Sequence, residues 1–271
     1  MLRGLNVHLA GPLGPVSTEL AAKQFQLIRF DVESVTDIAN LALESIRNGL
    51  HLLPIVDTAA HINAVPWPTN PFWTGVEITN EPNINGYTAA SYATHAGELI
   101  DVALGRGLTP WIGSIYNLHA ESQQWLADVL RRLPMLDQRV GITVHRYPWG
   151  NYWSTPAKGF GTREDEADEL MDIIGGRRFG LSEFGFTEEQ QCSWKWQWRW
   201  PFYKKTCHQW SSTDVLQLIR QEYAWWDNEG ADFAVAYQLN NGPIGSDEQY
   251  GIRDFQGLWK PQSEAARVTS I

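Results

Sequence analysis

Eight short β-rich apolar runs alternate with stretches of helical spacing, and this alternation limits the fold more than any other feature of the chain. In order the runs are "GLNVHLA" (4–10), "FQLIRFDV" (25–32), "LHLLPIVD" (50–57), "TGVEITN" (74–80), "LTPWIGSIY" (108–116), "RVGITVHRY" (139–147), "RFGLSEFG" (178–185) and "DFAVAYQL" (232–239). Between them, "SVTDIANLALESIRNG" offers Ser34 as an N-cap, apolar residues near 3.6 spacing and Gly49 as a stop. "TAASYATHAGELIDVALGRG" ends in the same way at Gly105 and Gly107. "ESQQWLADVLRRL", "REDEADELMDIIGG" and "STDVLQLIRQEYAWWDNEG" continue the alternation. Strands that alternate with helices in this number predict an α/β fold, a (β/α)8 TIM barrel. The chain has 271 residues, close to the length of one such barrel, and no linker or composition shift divides it, so a single domain over 1–271 is expected.

Three places depart from the regular pattern. "TAAHINAVPWPTNPFW", between the third and fourth runs, is short and carries Pro66, Pro68 and Pro71, which predicts a reduced third helix. The tail "KPQSEAARVTSI" has room only for a short eighth helix. After the seventh run, "CSWKWQWRWPFYKKTC" (192–207) is an insertion with tryptophans on alternate positions.

Charge narrows the choice of partner. A net charge of -10 argues against general affinity for nucleic acid, which usually leaves a basic footprint. No run of about 18 apolar residues suggests a membrane span. The opening "MLRGLNVHLAG" lacks a charged head, apolar stretch and cleavage site, so no export signal is visible. Cys192 and Cys207 are the only two cysteines. Bridged, they would close a loop for roughly 3 kcal/mol and imply an oxidising, secreted setting; two reduced thiols are the alternative. A monomer is expected.

Reactive groups of such barrels sit where strands end, at the C-terminal face. The polar residues there are Asn6 and His8, Arg29 and Asp31, Asp57, Asn80 and Glu81, Tyr116 and Asn117, His145 and Tyr147, Glu183, and Gln238 with Asn240. Glu81 and Glu183 stand out, because the fourth and seventh strands lie across the ring from each other. Two facing carboxylates about 5 to 5.5 Å apart are what retaining glycoside hydrolysis requires. A metal site is the competing use of such residues. His8, His51, His61, Asp31 and Asp57 have no recognised ligand spacing, so neither metal nor cofactor is expected.

"EITNEPN" followed by "LSEFGF", with the two glutamates 102 positions apart (183 − 81), resembles the glycoside hydrolases of clan A, the superfamily that includes families five and thirty-nine. The resemblance implies Glu81 as acid/base, Glu183 as nucleophile, and Asn80 as the residue that hydrogen-bonds the sugar 2-hydroxyl. Arg29 resembles the clan arginine that holds the nucleophile ionised. "VHRYPWG" resembles the His-x-Tyr pattern of strand six, which implies that Tyr147 touches the nucleophile and His145 lines the cleft. "YGIRDFQGLWKPQSEA" is similar to the motif that follows strand eight. Where many members end that strand with tryptophan, this chain has Tyr237 and Gln238.

The expected activity is therefore hydrolysis of a β-linked poly- or oligosaccharide, of glucan, mannan or xylan type. Internal cleavage is favoured by short loops after most strands. An exo-acting β-glycosidase is the alternative within the same chemistry, and a carbohydrate-binding barrel without catalysis is the alternative outside it. Aromatic rings stack on the C–H faces of sugars. Trp67, Trp73, Trp149, Trp153, Trp194, Trp196 and Trp198 are the candidate stacking residues, and Asn6, His8, Asp57, Tyr237 and Gln238 are further candidates for substrate contact. The tryptophans of the insertion have a second reading, as rings that pack the loop against the barrel.

Overall fold

In a computed structural model eight strands close on themselves into a barrel. The structure describes residues 1–7, 15–32, 35–134, 136–147, 163–186, 191–196, 203–208, 210–237 and 258–267. The barrel strands are β1 (Leu2–Val7), β2 (Leu27–Asp31), β3 (His51–Val56), β4 (Val76–Ile78), β5 (Pro110–Ile115), β6 (Gly141–Arg146), β7 (Phe179–Phe184) and β10 (Phe233–Ala236). Every barrel pairing is parallel, and β1 pairs with both β2 and β10, which closes the ring. The helices are α1 (Pro15–Ala22), α2 (Val35–Arg47), α3 (Ala59–Ala64), α4 (Ala89–Gly105), α5 (Ala120–Arg132), α6 (Arg163–Ile174) and α7 (Ser212–Asn228). Each of the eight apolar runs overlaps one barrel strand, so the (β/α)8 TIM barrel expected from the alternation is the fold.

Helix ends follow the expected chemistry. Thr88 and Ser211 close capping boxes on α4 and α7. Beyond α2, Gly49 takes φ 72° and the Leu50 N–H reaches back to the Ser45 carbonyl, a left-handed stop that glycine adopts without penalty. Ser34, the expected N-cap of α2, lies outside the described residues. The third helix is reduced to six residues, capped by Thr58, and among the described residues after the eighth strand the chain makes a 3-10 turn at Pro261–Glu264.

The floor of the barrel is apolar. Leu27, Leu53, Trp111, Phe233 and Val235 form a buried cluster of their own. Two glycines make room for its rings: a Cβ on Gly141 would lie 2.2 Å from the Trp111 ring, and one on Gly180 would lie 2.5 Å from Phe233. A second apolar shell, with Trp226, Tyr223 and Phe184 among its fully buried members, fills the space between strands and helices. The floor fixes the height of the next layer, where the inward-facing residues become polar.

After β7 the insertion forms an antiparallel pair, β8 (Gln191–Trp196) and β9 (Tyr203–His208). Its register sets Cys192 across from Cys207, Trp194 across from Lys205 and Trp196 across from Tyr203. Residues opposite one another share a face, so Cys192, Trp194, Trp196, Tyr203, Lys205 and Cys207 belong to one side of the ribbon. Their backbone is described and their side chains are not.

One sequence expectation is corrected by this topology. Trp67 and Trp73 do not follow a strand at the C-terminal face, because α3, short as it is, returns the chain to the other end of the barrel. Leu52 N–H donates to the Phe72 carbonyl and Thr74 N–H to the Leu52 carbonyl, which ties this loop to the start of β3. Arg106, just past α4, holds the Ile62 and Val65 carbonyls from the same end. Trp67 is 54% exposed, but it lies at the opposite end of the barrel from Glu81 and cannot contact a ligand there.

Candidate active site

Arg29 organises the polar layer. It has no exposed surface, and its donors reach four elements. Nε donates to Glu77 Oε2 at 2.5 Å, Nη1 to Asn6 Oδ1 at 3.2 Å and to Glu183 Oε1, and Nη2 to Asn80 Oδ1 at 2.7 Å. A guanidinium presents several donors in a rigid plane, so one side chain can fix partners from β1, β4, β7 and the turn after β4. Burial alone would pull the Arg29 pKa down; the carboxylates of Glu77 and Glu183 overcome this and raise it above its usual value. For Glu77, burial pushes the carboxyl up, but the charge and hydrogen bond of Arg29 hold it below its ordinary value.

The segment after β4 is bent into place. Thr79 and Glu81 adopt φ of 62° and 47°, a left-handed conformation that costs a side-chain-bearing residue about 1–3 kcal/mol and tends to collect at functional sites. The Glu81 carbonyl accepts from Ile84 N–H and Asn85 N–H, and the Asn85 side chain donates to the Asn80 carbonyl, so the turn is held from its far side. The bend turns Asn80 toward Arg29 and brings Glu81 Oε1 to 2.9 Å from His145 Nδ1.

His145 has a partner at each ring nitrogen. Its Nε2 lies 3.0 Å from Ser114 Oγ and 3.5 Å from Arg29 Nη2. Its Nδ1 lies 2.9 Å from Glu81 Oε1, so the ring bridges the Glu81 carboxyl and the end of β5. One Glu81 oxygen is thus engaged by the ring.

Both oxygens of Glu183 are also engaged. Tyr147 Oη donates to Oε2 at 2.5 Å and Arg29 holds Oε1. Burial, then the charge of Glu183, pushes the Tyr147 phenol well above its usual pKa, which keeps it a donor. Donor atoms of Glu81, His145 and Glu183 lie within 4.8 Å of one another, the one such cluster of potential metal ligands among the described residues. Arg29 already supplies a positive charge there, and Glu183 spends its oxygens on Arg29 and Tyr147.

Asn6, Arg29, Asn80, Glu81, His145, Tyr147 and Glu183 therefore form one hydrogen-bonded group. Tyr237 joins its edge, with its ring 6.0 Å from that of Tyr147 and its N–H on the Phe184 carbonyl. Asp57 is at the correct end of β3 but is exposed and outside the group, with its N–H directed to His61 Nδ1 at 3.4 Å. His8, Trp149, Trp153, Trp198 and Gln238 lie outside the described residues. Sequence reading missed Glu77 and Ser114. For Glu77 the signal was present, since an acid in the middle of the apolar "VEI" needs a buried cation, and Arg29 inside "LIRFD" supplies it.

No protein-family model matches the chain, and no curated protein matches it in sequence. Among solved structures it is similar to a GH128 (subgroup VI) exo-β-1,3-glucanase from Aureobasidium namibiae, at 10% identity and a TM-score of 0.60, over 94% of this chain and 92% of that one. A GH10 xylanase from Thermobacillus composti aligns at 11% identity and 0.60, over 98% and 95%. A β-glucuronidase 2 of Bacteroides uniformis aligns at 12% identity and 0.62, over 95% of this chain but 33% of that one. At such identities the likeness is one of fold.

Proposed function

We propose that this chain is a retaining glycoside hydrolase that cleaves β-linked poly- or oligosaccharides. The observation that carries the reading is that one oxygen of Glu81 and one of Glu183 lie within 4.8 Å of each other, which favours the close spacing of retaining pairs, roughly 5–5.5 Å between carboxyl groups, over the roughly 6.5–9.5 Å that inversion needs to fit a water. In the first step a Glu183 oxygen attacks the anomeric carbon, the glycosidic C–O bond breaks, and Glu81 delivers its proton to the leaving oxygen. In the second, Glu81 takes a proton from water, whose oxygen attacks the anomeric carbon and releases Glu183 as carboxylate. Arg29 and Tyr147 orient Glu183 and balance its charge. His145 orients Glu81, and Asn80, fixed by Arg29, is placed to bond the sugar 2-hydroxyl beside the nucleophile. The chemistry needs neither metal nor cofactor.

The aromatic face of the β8–β9 ribbon is assigned to the glycan. The ribbon begins seven residues after β7 (191 − 184), the strand that carries Glu183, and Trp194 and Trp196 share one of its faces. Cys192 and Cys207, opposite one another in register, are assigned as a bridge that braces it, and such a bridge would imply an oxidising compartment. Internal cleavage by a monomer is the preferred mode. End-directed cleavage is the second reading, supported by the exo-β-1,3-glucanase among the similar structures. A reducing-sugar screen over glucans, mannans and xylans, with product sizing, decides both points: a spread of oligomers means endo action and a single released sugar means exo. Glu183→Ala should abolish turnover while glycan binding remains. Undiminished activity in that variant would refute the mechanism.

A further inference from the structure

The end of β5 contributes nothing to the proposed reaction directly, yet it stands behind both side chains that β6 sends into the site. Gly113 and Ser114 carry positive φ of 105° and 41°, and the β5–β6 register shifts between Gly113 and Ile115. The shift brings Ser114 Oγ to His145 Nε2. Three residues further, Asn117 has φ 63°, is 3% exposed, and turns its amide onto the backbone of Tyr147. Asn117 Nδ2 donates to the Tyr147 carbonyl at 3.1 Å, and the Tyr147 N–H donates to Asn117 Oδ1 at 3.2 Å. The same Oδ1 accepts from Leu118 N–H at 3.1 Å. β6 ends at Arg146, so Tyr147 has left the strand ladder, and a side-chain amide supplies the two bonds that a neighbouring strand would have made.

We infer that Asn117 is a positioning residue for the nucleophile: it clamps the Tyr147 backbone so that the phenol stays on Glu183. The site tolerates little slack, because the Tyr147 to Glu183 bond is 2.5 Å long and a shift of about 1 Å in such a contact can cost roughly a hundredfold in rate. Asparagine suits the position on two grounds. It accepts left-handed φ more readily than most residues, and its short side chain offers an amide donor and acceptor in the geometry of a peptide. This inference rests on the reading of Glu183 as nucleophile only for its consequence in turnover; the clamp itself can be measured without substrate.

The informative variant is Asn117→Gly, because glycine keeps the positive φ at no cost and removes only the amide. Asn117→Asp is its companion, since it keeps the acceptor for Tyr147 N–H and loses the donor. With tyrosine labelled at 13Cζ, and the Tyr147 resonance assigned by its absence in Tyr147→Phe, Asn117→Gly should move that resonance at neutral pH, and Asn117→Asp, which sets a carboxylate oxygen against the Tyr147 carbonyl, should move it too. On whichever glycan the protein cleaves, Asn117→Gly should lower kcat about tenfold with KM little changed, and the double variant with Tyr147→Phe should be no slower than Tyr147→Phe alone. An unmoved Tyr147 resonance, or losses that multiply in the double variant, would overturn the clamp. Absence of turnover on every glycan would count against the hydrolase reading, and the resonance would still decide the role of Asn117.

Discussion

Arg29 Nε donates to Glu77 Oε2 across 2.5 Å, and neither side chain has any exposed surface. The pair forms the base of the polar layer, since the same guanidinium reaches Glu183 and Asn80 above it. Glu77→Ala would leave a buried cation with one carboxylate fewer. Breaking a buried pair from one side costs about 3–5 kcal/mol, and chemical denaturation should show a loss of that size. Glu77→Gln, which keeps an acceptor for Nε, should lose less.

The pair also sets a pH dependence. The Glu77 carboxyl is held below its ordinary 4.5 in the folded chain, with burial opposing and Arg29 prevailing. A carboxyl depressed on folding contributes stability that is complete above the unfolded value and is lost as pH falls through the lower folded one. The contribution of Glu77 to the midpoint of urea unfolding should therefore be constant from neutrality down to about pH 4.5 and fall away below it, so that below that pH the profile drops more steeply than that of Glu77→Gln. An identical acid profile in the two proteins would contradict the assignment.

The parts of this site that were legible in the sequence are those that follow from strand periodicity. Glu81, Glu183, His145 and Arg29 all fall at or near the ends of apolar runs, and in a barrel that places them at one mouth. Trp67 is not placed by that logic, because its loop follows a helix: the six residues of α3 suffice to return the chain to the other end of the barrel. Ser114 and the clamp geometry of Asn117 depend on a register shift in β5 and on positive φ at non-glycine residues, and no residue pattern announces either. Glu77 was readable in principle, since a lone acid in a buried strand demands a partner.

Packing of the floor yields a prediction independent of chemistry. A methyl group at position 141 would meet Trp111 Cε3 and Cζ3 at 2.2 Å, and the ring is held by its own bond from Nε1 to the Thr74 carbonyl at 3.1 Å. Overpacking of this kind costs about 1–3 kcal/mol. Gly141→Ala should lower Tm by roughly 2–4 °C for each kcal/mol, and Trp111→Phe in the same chain should restore part of it.

Acid catalysis by Glu81 predicts a dependence on the leaving group. A phenol with electron-withdrawing substituents departs without a proton, whereas a sugar hydroxyl does not. Glu81→Ala should therefore slow cleavage of a glycan by about 10²- to 10⁴-fold and cleavage of an activated aryl glycoside by much less at the first step. Equal losses on both substrates would place Glu81 outside the acid role.

The ribbon after β7 adds one more test. Trp194 and Trp196 are two residues apart on one strand, so they lie on the same face about 6.4–6.8 Å from each other, a spacing set by strand rise. If that face holds the glycan, burying one such ring contributes about 1.5–3 kcal/mol, and each Trp→Ala change should raise KM roughly ten- to hundredfold on a polymer that reaches the ribbon. A short aryl glycoside, whose binding is concentrated around Glu81 and Glu183, should lose less. If the rings instead pack the ribbon against the barrel, their removal should lower Tm and weaken polymer and short substrate alike. The two readings therefore separate on the ratio of the two losses, measured beside a thermal melt of each variant.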